Sequence, residues 1–166
     1  MKTIGKLAAL VLLLNVIRYL VGGPLEAITI MEPMHRVMPL YPEVFNTDFT
    51  STDFTISLFY NYMMWFWATI VFHLMHPRLQ GPLWARSLKS YLIMAAFFCS
   101  LAAVYMNHYS SEIKPFYFWS MIDALILFPL IGLANAVFYP RFFPAQPDDQ
   151  ASHNYSGSGS AAPDSP

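Results

Sequence analysis

An all-α membrane protein, a four-helix transmembrane bundle running up-down-up-down, is the fold class this sequence predicts. Three observations predict it. Of 166 residues, 56% are hydrophobic and only 11% are charged, where soluble domains carry about 25% charge. Four apolar stretches each approach the ~20 helical residues needed to cross ~30 Å of hydrocarbon. Lys and Arg cluster at alternate ends of those stretches, as orientation in a membrane requires. Backbone groups in lipid must be satisfied within the segment, so each stretch is read as a helix.

The first span is expected over residues 4–22, with the apolar run LAALVLLL at its centre. Lys2 and Lys6 before an apolar run also suit a signal peptide. Asn15 and Arg18 interrupt that run, however, and GGPLE provides no small-residue cleavage pattern, so the segment is read as a retained span. Residues 24–55 form a long outer loop holding Glu26, Glu32, Glu43, Asp48 and Asp53 against one Arg36. Pro24 suits the first turn of a short interfacial helix, ended by Glu32-Pro33. The near-repeat NTDFT–STDFT precedes the second span, residues 56–76. Ser51, Thr52 or Asp53 is expected to cap it. A calcium site on Asp48 and Asp53 is rejected, since calcium takes six or more oxygens. The third span is expected over 90–108. Its Ala96, Ser100, Ala103 and Asn107 make a small-residue face suited to close helix approach. The fourth, over 116–139, has a second small face at Gly132, Asn135 and Ala136, and a Pro129 expected to kink it. Residues 1–143 thus form the membrane domain. The Ser/Gly/Pro-rich tail 144–166 cannot bury a core and is read as disordered and cytoplasmic. Its Asn154-Tyr-Ser acceptor pattern is discounted on that side of the membrane.

Orientation follows from the flanks. Lys2, Lys6, Arg78, Arg86, Lys89 and Arg141 fall on one side if there are four spans, and the acidic loop falls on the other. Both termini are therefore placed in the cytoplasm, with a bacterial inner membrane as the expected location.

Charges within apolar runs are costly and are functional candidates by default. Arg18 and Asp123 are the two such charges, and they are expected to pair. At ~1.5 Å per residue, Arg18, Asn61 and Asp123 each lie ~6–9 Å inside the outer ends of their spans. Asn107 and His108 close the third span on that side, and Asn15 shares a face with Arg18. The candidate cluster is therefore Arg18, Asn15, Asn61, Asn107, His108 and Asp123. It serves either as a polar staple between helices or as a pocket opening outward.

At the opposite end, His73 and His76 share a helix face at a spacing that metal ligands use. No further ligand is expected at that depth, so they are read as an interfacial polar belt, no metal is assigned, and no cofactor is expected. The single cysteine, Cys99, excludes a thiol–disulfide enzyme, which needs a Cys pair. A net charge of −1 argues against nucleic acid, which needs a basic excess. There is no nucleophile elbow, HExxH or phosphate loop. The expectation is a non-catalytic binding or accessory membrane protein whose partners are the bilayer, a lipid or amphipathic ligand, and a larger complex or second copy. The alternative is a small enzyme or transporter acting on a lipid or amphipathic substrate through Asp123, His108 and Arg18.

Overall fold

The computed structural model describes residues 2–46, 48–108 and 113–144. All regular structure among them is helical. The chain runs α1 (Lys2–Ile17), a π-helical turn (Arg18–Gly22), α2 (Gly23–Thr29), α3 (Met31–Val37), α4 (Ser51–Met75), α5 (Leu83–His108) and α6 (Lys114–Phe142). The expected tail lies outside the described residues except for Pro144, and Asn154 lies outside them entirely.

Among the described residues, three helices are long and apolar enough to cross a membrane: Lys2–Thr29, Leu83–His108 and Lys114–Phe142. The expected second span corresponds to α4. It has the length, at 25 residues, but its Ser, Thr, Asn, Tyr and Trp content leaves it less apolar than the other three.

The first helix does not stop at Gly22. The Gly-Gly-Pro sequence reads as a terminator, yet the backbone passes through it, with the Gly23 N–H bonded to the Arg18 carbonyl. That i→i+5 bond widens the helix by one residue. Pro24 then sits in the first turn of α2, directly after the π-turn has broken the regular i→i+4 register, where a position without an N–H is tolerated. Helix α2 therefore continues α1, and α3 follows it directly with Pro33 inside. Much of the expected outer loop is helix. Helix α4 begins with a capping box one residue earlier than expected. The Thr50 hydroxyl accepts from the Asp53 N–H, and the Asp53 carboxylate accepts from the Thr50 N–H. Both orphan donors are satisfied reciprocally.

The core is a column of apolar side chains from α1, α4, α5 and α6: Leu10, Leu14, Trp65, Phe72, Tyr91 and Ile131 are fully buried. Helices α5 and α6 pack most closely. Their contacts run in opposite sequence order, Ser87 with Gly132 and Cys99 with Met121. The α5 face that packs carries Ser87, Tyr91, Ala95 and Ala102; the expected face does not, since Ala96, Ser100 and Asn107 are exposed. The rotation of α5 is set by Ser87, whose hydroxyl donates to the Gly132 carbonyl at 2.7 Å and accepts from Asn135 at 3.0 Å. Glycine is needed at 132 for this approach, because a Cβ there would meet Tyr91 Cβ at 3.0 Å. The small face on α6 thus meets α5. Large apolar residues, including Leu20, Ile28, Phe97 and Val137, point outward.

Candidate functional site

Arg18 opens the π-turn, and the turn determines what it meets. Its Nη2 donates to Glu26 Oε1 at 2.6 Å, with the two side chains only 15% and 8% exposed. Eight residues separate them. On an α-helix that spacing leaves two side chains about 80° apart. The extra residue of the π-turn removes most of that angle, so the pair shares a face. Tyr19 covers the guanidinium from one side, its ring centroid 4.7 Å from Cζ.

Asp123 comes from the third turn of α6 and completes a triad. Its carboxyl lines the same cleft as Glu26, beside the Arg18–Glu26 ion pair. With both ionised, the triad carries one net negative charge. Asp123 Oδ1 is buried and makes no hydrogen bond among the described residues.

Two clefts meet at Asp123. One, of about 160 Å³, is bounded by Met31, Met34, His35 and Met38 above Glu26 and Asp123. The other, of about 170 Å³, lies between α4, α5 and α6 and is lined by Met64, Trp65, Phe98, Ser120, Asp123 and Leu127. Trp65 is fully buried, and among the described residues its indole N–H also lacks a partner.

The remaining residues of the expected cluster divide. Asn15 is buried but turns back on its own helix, its Nδ2 donating to the Val11 carbonyl at 3.0 Å. Asn61 is half-buried, and its Oδ1 has no partner among the described residues. Asn107 and His108 are exposed, and the His108 ring bonds the Val104 carbonyl one turn back. The structure therefore places Arg18 and Asp123 on either side of Glu26, which the sequence reading assigned to a short interfacial helix in the outer loop. The overlooked signal is an acidic residue two turns beyond an intramembrane arginine.

At the other end of the bundle, His73 Nδ1 and His76 Nε2 lie 2.6 and 2.8 Å from one atom, the Tyr139 hydroxyl oxygen. That hydroxyl has a single proton, so it donates to one ring and accepts from the other. The Arg86 guanidinium donates to the His76 carbonyl at 3.2 Å and ties the start of α5 to the same point. Tyr139 was not anticipated as the link between the two histidines. Among the described residues, no group of three or more His, Cys, Asp or Glu is placed to hold a metal ion.

Outside the triad, one acid is tuned by its fold position. The two hydrogen bonds from Thr50 hold the Asp53 carboxyl below the usual carboxylate range.

No protein-family model, curated protein or solved structure matches the chain.

Proposed function

We propose that the chain is a four-span, up-down-up-down membrane protein that binds a small cationic or hydrogen-bond-donating ligand at the Glu26–Asp123 cleft, as a binding or accessory protein rather than an enzyme. The observation that carries this is the triad itself. Two carboxyls line an open cleft, Arg18 pairs with only one of them, and among the described residues one oxygen of Asp123 is left without a donor. An unmade buried hydrogen bond costs about 1–3 kcal/mol, which favours a ligand that donates to the free oxygen.

The order of helix contacts supports the topology. Tyr62 of α4 donates to Ala8 of α1, Thr69 of α4 meets Tyr91 of α5, and Ser87 of α5 meets Gly132 of α6. The outward Phe54, Phe59, Trp67 and Leu74 of α4 favour lipid around that helix too. In this reading both termini and the basic flanks face the cytoplasm, and the cleft opens on the opposite face.

An acid–base role shared by Asp123 and His108 is disfavoured, because the His108 ring is bonded to its own helix and exposed. The test is thermal unfolding of the detergent-purified chain with alkylammonium and alkylsulfate amphiphiles of equal length. The ammonium series should raise the unfolding temperature, and Glu26→Gln with Asp123→Asn should abolish that rise. Equal responses to both series, or a rise that survives both substitutions, would overturn the proposal.

A further inference from the structure

The cleft above the triad has an unusual roof. Met31, Met34 and Met38 recur at three- and four-residue spacing, which sets them on one side of α3 and the turn that follows it. All three line the same cleft, joined by His35. Methionine is a common filler of irregular apolar cores. These three do not fill a core. Met31 is 44% exposed, Met34 and Met38 are half-buried, and they face two carboxyls across open space.

Thioether sulfur is a soft donor that selects copper(I), whereas carboxylate and carbonyl oxygens suit harder ions. Among the described residues no three His, Cys, Asp or Glu side chains gather into a site; the sulfurs supply the missing ligands. Charge points the same way. Arg18 offsets one of the two acids, so a single positive charge neutralises the ionised triad and a double charge overshoots it. Methionine's three rotatable bonds let the sulfurs close on a small ion.

We propose that Met31, Met34, Met38 and His35 form a binding site for a soft monovalent cation, copper(I) or its surrogate silver(I), above the Glu26 and Asp123 carboxyls. This rests on the reading of that cleft as the ligand site, and it names the ligand. Methionine ligands hold the ion, His35 supplies a nitrogen donor, and the acids balance its charge from below.

The experiment is competition for copper(I) between the full chain in detergent and a chromogenic copper(I) chelator under anaerobic, reducing conditions, with silver(I) titrated separately. One equivalent of each ion should bind. Leucine nearly matches methionine in volume and is well tolerated in its place, so Met31→Leu, Met34→Leu and Met38→Leu preserve packing while removing sulfur. Each should weaken binding tenfold or more, the triple change should abolish it, and unfolding of the metal-free chain should be unchanged. Retention of copper(I) by the triple variant would overturn the proposal, as would zinc(II) binding as tightly as copper(I) in the wild-type chain. If copper(I) fails to bind but an alkylammonium does, and Glu26→Gln abolishes that binding, only the soft-metal assignment falls. If neither binds, the cleft reading falls with it.

Discussion

Arg18 is paired directly with Glu26, Asp123 shares the cleft beside them, and the three cannot be treated as independent charges. Breaking a buried ion pair by removing one partner costs about 3–5 kcal/mol, largely because the other charge is stranded. Arg18→Gln is therefore expected to destabilise the detergent-solubilised chain by about 3 kcal/mol. Glu26→Gln in the same chain should recover most of that loss, because it removes the stranded charge. Asp123→Asn paired with Arg18→Gln should recover less, since the direct ion pair is with Glu26. Equilibrium denaturant unfolding of the single and double variants checks this; strictly additive losses would mean that Arg18 and Glu26 are not coupled. At this scale Arg18 and Asp123 were legible in the sequence, because charges in apolar runs stand out. Glu26 was not, since its role depends on a helix continuing through Gly-Gly-Pro, which local propensity argues against.

Among the elements, α4 shows how a short motif governs a helix start. The repeat around residue 50 was legible as a cap, but the capping residue is Thr50, because Asp53 completes a reciprocal box with it. The Asp53 carboxyl is held below its ordinary range by those bonds, which sets the sign of a pH effect. A depressed native value means the ionised form favours the folded cap. The contribution is complete above the unfolded value of about 4 and is lost as pH falls through the lower native value. Amide hydrogen exchange at the first turn of α4 should be protected at pH 6 and accelerate, relative to mid-helix amides, as pH falls below about 4. Asp53→Ala should show the faster relative exchange at both. Helix α5 teaches the opposite lesson. Its stripe of small residues was visible at Ala96, Ser100 and Ala103, yet the packed face is the one carrying Ser87 and Tyr91. Small residues permit close approach on any face. The hydrogen bonds of Ser87 and the space over Gly132 choose the face, and neither is visible within α5 alone.

For the whole molecule, the hydrophobic pattern alone made the all-helical character and three candidate spans legible. The four-span topology rests on α4, whose aromatic and hydroxyl side chains leave it the least apolar of the long helices. Four spans and three predict different outcomes for labelling from one side. In a Cys99→Ala background, Thr3→Cys, Gln80→Cys and Pro144→Cys should all react with an impermeant thiol reagent from the cytoplasmic side only, and Val44→Cys from the other side only. If Thr3→Cys and Pro144→Cys react from opposite sides, the number of spans is odd. The division of polar chemistry along the bundle follows the same frame. The acid triad and the His73–Tyr139–His76 linkage lie at opposite ends of α6, separated by the packed column around Trp65 and Ile131.

The π-turn gives the first helix a spare residue. Deleting one exposed residue there, such as Leu20, converts the turn to regular α-helix and leaves seven α-helical steps between the arginine and its acid, nearly two full turns. Deleting exposed Leu12, by contrast, swings everything before it by about 100° relative to the triad. Both deletions shorten the same membrane helix by one residue. The first should retain ligand response and unfold close to wild type, whereas the second should lose the packing of Leu7 and Leu10 and unfold far earlier. Lineages carrying this helix should therefore vary in length at the turn and nowhere else along it.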